Sequence, residues 1–107
     1  MPYFIDLSDE AKARLKKLKK TDPVLATRIV KKFDVIAENP THFEVLSGDL
    51  HDARSAPVGT KYRIIYDVFE EEESIKILLF GHHKYIYNEN KLFDAFFNSE
   101  KRNEIIE

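Results

Sequence analysis

Apolar positions in this chain follow two periods, and the change of period divides it. From Ala11 to Ile36 they recur every three to four residues; from Tyr62 to His82 they alternate. The first spacing is that of an amphipathic helix, the second that of a strand. Tyr3 to Leu7 reads as a short strand. Ser8 can cap the helix that follows, and Asp9 and Glu10 face the positive end of its dipole. Ala11, Leu15 and Leu18 form the stripe of that helix, with lysines between them. Thr21-Asp22-Pro23 breaks it and opens a second, since proline suits the first helical position and Asp or Thr the cap. Leu25, Ile29, Phe33 and Ile36 carry the second stripe. Asn39-Pro40 ends it, because a residue before proline is pushed out of the helical region. So short a connection predicts an antiparallel helical hairpin.

Residues 41–52 read as irregular, with a turn at Gly48-Asp49 and with Leu46 and Leu50 tucked under the sheet. A strand near Ala53 to Val58 turns at Gly59-Thr60. In the next strand Tyr62, Ile64, Tyr66 and Val68 share one face, and Arg63, Ile65, Asp67 and Phe69 the other. Glu70 to Glu73 reads as a solvated hairpin turn. From Ser74 to His82, Ile75, Ile77 and Leu79 are expected on one face and Lys76, Leu78, Phe80 and His82 on the other. Apolar residues on both faces predict a central, doubly covered strand. On this pattern His82 and His83 point to opposite sides. Asn88 can cap a C-terminal helix with Leu92, Phe93, Phe96 and Phe97 as its stripe, and residues 98–107 read as a fraying tail. The expected order is β-α-α-β-β-β-α. This is an α+β fold: a four-stranded, mainly antiparallel sheet with the helical hairpin on one face and a C-terminal helix.

Length and composition change this picture little. The 107 residues suit one domain spanning 1–107, and 43% hydrophobic content suits one modest core. No apolar run approaches the roughly 20 residues of a membrane span. The start, Met1-Pro2-Tyr3-Phe4-Ile5-Asp6, lacks the basic region of an export signal, so a cytoplasmic protein is expected. Cysteine is absent, which excludes disulfide and thiolate chemistry.

Charge matters more by its distribution. The net formal charge is −2, yet residues 1–32 carry nine Lys/Arg against four Asp/Glu. Fields decay over about 8 Å at physiological salt, so a local basic surface survives a near-neutral total. Arg54 and Arg63 sit on extended backbone, and Gly81-His82-His83-Lys84-Tyr85-Ile86-Tyr87 ends the last strand. Basic and phenolic side chains at one end of a sheet suit the handling of a phosphodiester. His42 and His51 are remote from His82 and His83, so neither a metal site nor a cofactor is expected.

The helical hairpin ending in Glu38-Asn39-Pro40, Leu46-Ser47-Gly48-Asp49-Leu50, Arg54-Ser55, Val58-Gly59 with Tyr62-Arg63-Ile64-Ile65-Tyr66, and the Gly81-to-Tyr87 end occur in one order. In that order and spacing, from residue 3 to about 97, the chain resembles the RelE/ParE superfamily of bacterial and archaeal toxins. The resemblance implies a small α+β toxin held inactive by a cognate antitoxin protein, with DNA met only through that antitoxin. The RelE branch cleaves mRNA in the ribosomal A site without metal; the ParE branch poisons DNA gyrase and lacks the nuclease residues. Carried over residue by residue, Arg54 would pair with a phosphate and Arg63 would stabilise the phosphorane. Tyr87 would orient the reacting 2′-hydroxyl. His83 departs from the pattern, standing where an arginine is expected. Histidine is the better acid or base at neutral pH, so His83 can take over a proton-transfer role. Lys61 can replace a basic residue missing near Ala56 and Pro57, and Lys84, Lys16 and Lys19 are candidate RNA contacts. The expected function is therefore a ribosome-dependent mRNA endoribonuclease that inhibits translation. A ParE-like gyrase inhibitor, or a catalytically degenerate RelE-fold binding module, are the alternatives.

Overall fold

The computed structural model describes residues 2–46 and 53–86. Its elements in chain order are β1 (Phe4–Leu7), α1 (Asp9–Thr21), α2 (Pro23–Glu38), β2 (Glu44–Val45), β3 (Arg54–Val58), β4 (Tyr62–Phe69), β5 (Ser74–His82) and α3 (His83–Ile86). The Tyr87 position, the turn at Gly48-Asp49, Leu50 and the expected C-terminal helix lie outside the described residues.

Local chemistry sets the hairpin. The Ser8 hydroxyl oxygen accepts from the Ala11 N–H at 3.0 Å and donates to the Leu78 carbonyl at 2.7 Å, so one side chain caps α1 and ties it to β5. Asp22 serves both helices: its N–H closes α1 on the Leu18 carbonyl, and its carboxylate caps α2 at the Leu25 N–H, 3.1 Å away. Pro23 then opens α2. The two stripes converge on one core with Ala56, Ile64, Tyr66, Ile75, Ile77 and Phe80 of the sheet.

The sheet has five strands in the order β1-β5-β4-β3-β2. This corrects the expected four: the two-residue β2 forms inside the segment read as irregular, pairing Glu44 with Ser55 and Val45 with Arg54. Three of the four pairings are antiparallel, and β1 runs parallel to β5. Pro57, which cannot donate a ladder bond, lies beyond the reach of β2. Glu70 to Glu73 form the exposed turn between β4 and β5, closed by Glu73 N–H to the Glu70 carbonyl.

A bulge corrects the expected faces of β5. Ile65 pairs with Leu79 and Tyr66 with Ile77, so Leu78 is the extra residue. Beyond it the alternation slips by one. Phe80 turns to the helices, meeting Phe33 edge-on at 6.0 Å, and Leu79 turns away into a second cluster with Ala53, Ile65, Leu78 and Ile86. The slip also decides where the end of β5 points: His82 registers with Tyr62 on the helical side, and Gly81 registers with Arg63 on the opposite side.

Candidate functional site

Arg54 and Arg63 occupy opposite faces of the sheet. Arg54 is the cross-strand partner of Tyr66, whose side chain lies in the helix-side core. Its Nη1 donates to the carbonyls of Thr41 at 3.1 Å and Phe43 at 2.8 Å. The Tyr66 hydroxyl donates to the Pro40 carbonyl at 2.8 Å. Burial pushes the Tyr66 phenol up to about 12, opposed by the nearby Arg54 charge. Together they fasten residues 40–43 to the sheet. The cleft beside Arg54 is lined by Glu70, Glu71 and Glu72, surroundings that repel a phosphate. The phosphate-pairing role that the resemblance implies for Arg54 is therefore not supported by its surroundings: Arg54 registers with Tyr66 and Arg63 with Pro57, an odd spacing along β3 that puts the two guanidiniums on opposite faces.

Arg63 faces away from the helices, with Pro57 and Gly81 as its cross-strand neighbours. Its Nη2 lies 3.1 Å from Glu44 Oε2, the side chains being 24% and 65% exposed. An ion pair this open is worth about 0–1 kcal/mol, so an incoming phosphate can compete with it.

Beyond Arg63, basic groups gather on the rim. The His83 N–H donates to the Lys61 carbonyl at 2.7 Å, and His83 Nδ1 lies 3.0 Å from the same oxygen. A carbonyl only accepts, so Nδ1 carries the proton there and neutral His83 presents the lone pair of Nε2. His82 has the opposite tautomer, because its Nδ1 accepts from the Lys84 N–H at 3.1 Å. The two rings stack at 4.5 Å, contrary to the expected opposite orientation, because the chain leaves the strand and coils into α3 at His83. Desolvation, then the charges of His83, Lys84 and Lys61, hold His82 below the usual imidazole range. Lys61 and Lys84 are exposed, and Arg28 of α2 reaches Gly59 of the same rim. Gly59 has φ +63, and a Cβ there would meet Arg28 Nη2 at 2.7 Å. Lys16 and Lys19 are exposed on α1. Among the described residues no three or more His, Cys, Asp or Glu are grouped as metal ligands.

The sequence reading missed a pair beside Gly81. Arg14 of α1 donates from Nη2 to the Tyr85 hydroxyl and lies 4.3 Å over the Tyr85 ring. Gly81 makes room for it: a Cβ there would stand 3.4 Å from Tyr85 Cδ1 and 3.9 Å from Arg14 Nη1. Gly81 itself was the available signal, a glycine at a strand end where a side chain must cross closely.

A family model for the ParE toxin of type II toxin–antitoxin systems matches residues 5–87. The chain belongs to the RelE/ParE toxin superfamily. It is 30% identical over 91 residues to the RelE4 protein of Methanocaldococcus jannaschii, covering 85% of this chain and 97% of that one. Among solved structures it is similar to the RelBE2 toxin–antitoxin complex of Mycobacterium tuberculosis, with TM-score 0.69, 26% identity and coverage of 78% and 93%. It shares the fold of a mutant of the Escherichia coli toxin RelE in the free state, with TM-score 0.68, 20% identity and coverage of 92% and 98%. Within this RelE/ParE frame, the conspicuous departure is the imidazole of His83 at the position where the resemblance expects a guanidinium, backed by Lys61 and Lys84. No described helix is long and apolar enough to cross a membrane.

Proposed function

We propose that this RelE/ParE toxin is a metal-independent, ribosome-dependent mRNA endoribonuclease acting in the cytoplasm. The observation that carries the reading is the position of Arg63: outside the helical core, on a face bordered by the His83, Lys61 and Lys84 rim. Lys61 precedes β4 in the turn, two residues before Arg63, and its carbonyl is bonded by His83, so the chain keeps His83 near the Arg63 end of the strand. RNA brings its own nucleophile. His83 Nε2 takes the 2′-hydroxyl proton as the 2′-oxygen bonds to phosphorus and the bond to the 5′-oxygen breaks. Arg63 offsets the charge that builds on the phosphorane. Lys61 and Lys84, with Lys16 and Lys19 on α1, supply cationic contacts to RNA. Tyr87, by the resemblance, orients the 2′-hydroxyl. Arg54 is left out of this set, because its donors hold the 41–43 carbonyls.

A cognate antitoxin is the expected partner, as in the toxin–antitoxin complexes of similar fold from Mycobacterium tuberculosis and Staphylococcus aureus. A groove lined by Lys19, Pro23, Ala26, Thr27, Val30 and Lys31 pairs apolar floor with basic walls, which suits an amphipathic acidic segment. The protein encoded by the adjacent gene should co-purify with the toxin and restore growth; failure of both counts against this partner.

The matched family is named for ParE, and His83 replaces the expected arginine, which favours gyrase inhibition or a degenerate binding fold as the second reading. Primer-extension mapping of mRNA in a purified translation system, run beside a gyrase supercoiling assay, separates them. Cuts in ribosome-bound mRNA with unaffected gyrase support the nuclease. Intact mRNA with blocked supercoiling transfers the reading to gyrase.

A further inference from the structure

We propose that Tyr85 is a catalytic general acid of this site and that Arg14 is its positioning residue, an assignment that rests on the cleavage reading above. His83 and Arg63 provide a base and a charge, but departure of the 5′-oxygen also needs a proton. Tyr85 stands where one is wanted. Gly81 and Arg63 are registered partners, so their Cβ directions share a face and their Cβ positions are about 5 Å apart. The ring edge of Tyr85 is 3.4 Å from the Gly81 Cβ position, which brings the phenol beside Arg63 on that same face.

The surroundings of Tyr85 are built rather than incidental. β1 pairs with β5 only as far as Leu7 with Ile77, and Arg14 of α1 reaches the stretch of β5 beyond that end. A guanidinium only donates, so in the Arg14 contact the Tyr85 oxygen is the acceptor and its own proton points elsewhere. The same guanidinium lies over the ring. Among the described residues, the buried Nε of Arg14 has no hydrogen-bond partner. In the step, the 2′-oxygen–phosphorus bond forms and the 2′ proton passes to His83. The phosphorus–5′-oxygen bond breaks and the Tyr85 proton goes to the 5′-oxygen. Solvent then returns a proton from His83 to Tyr85, leaving a 2′,3′-cyclic phosphate and a 5′-hydroxyl.

The test is single-turnover cleavage of ribosome-bound mRNA by the full chain, comparing wild type with Tyr85→Phe, Arg14→Gln and the double variant. Tyr85→Phe keeps the ring and removes the proton, so cleavage should fall about 10²-fold, as for loss of one general acid, with ribosome affinity unchanged. The double variant should be no slower than Tyr85→Phe. An mRNA carrying sulfur in place of the scissile 5′-oxygen has a leaving group that needs no acid. It should restore Tyr85→Phe to near the wild-type rate and leave Arg63→Ala slow. Equal cutting by wild type and Tyr85→Phe, or a defect that persists on the sulfur substrate, overturns the assignment of Tyr85. Wild-type protein that never cuts overturns the cleavage reading and this assignment with it.

Discussion

Arg54 and Arg63 sit on neighbouring strands of one sheet and differ in almost everything that decides a role. Arg54 points into the helix-side layer, beside a buried phenol, and two backbone carbonyls take its Nη1 donor. Arg63 points outward, against a glycine and a largely solvated glutamate. The difference teaches that residue type and strand position are insufficient to locate a phosphate site. A guanidinium that holds its own chain together has little to offer a ligand, and cross-strand register decides which of the two it is.

The comparison breaks first at Arg63. Arg63→Ala should lower ribosome-dependent mRNA cleavage by about 10²-fold or more, the typical cost of one preorganised donor, with the melting temperature nearly unchanged. Unfolding of that variant would place Arg63 with Arg54 as structural. Arg54→Ala should instead destabilise the fold by about 1–3 kcal/mol, as the Thr41 and Phe43 carbonyls lose their donor. Denaturant unfolding reads this, and a wild-type midpoint would contradict it.

Tyr66 sharpens the Arg54 side. Its folded-state pKa, about 12, lies above the ordinary phenol value of 10.0. The stability from its protonated form is complete below pH 10 and is lost as pH rises through about 12, on the order of 2–3 kcal/mol. Tyr66→Phe, measured by unfolding from pH 9 to 12, should flatten that alkaline decline. A decline as steep as wild type would assign it to other groups.

The smallest effect is on the rim. His82 should titrate below 6.5 by NMR, being desolvated and repelled by His83, Lys84 and Lys61. Because its folded pKa is depressed, its contribution is present above 6.5 and lost as pH falls through the lower value. Lys84→Gln should move the midpoint upward; an unmoved midpoint would remove that charge as a cause.

Local signals reported the elements well. Ser8, Asp22, Pro23 and Asn39 mark helix ends by chemistry that acts within four residues, and the stripe from Ala11 to Ile36 found its core. What depended on register was not legible. The Leu78 bulge leaves no mark in an all-apolar run, yet it exchanges the faces of Leu79 and Phe80 and directs Gly81 toward Arg63. β2 is two residues long, too short for any period to reveal. Arg14 meets Tyr85 across 71 residues, a contact that only the assembled fold creates.

The most direct test of the account sets Arg54→Ala beside Arg63→Ala in one primer-extension experiment on ribosome-bound mRNA, each corrected for its folded fraction from denaturant unfolding. The account predicts cleavage per folded molecule near wild type for Arg54→Ala and reduced about 10²-fold for Arg63→Ala. Equal catalytic losses in the two variants, or a loss confined to Arg54→Ala, would contradict it.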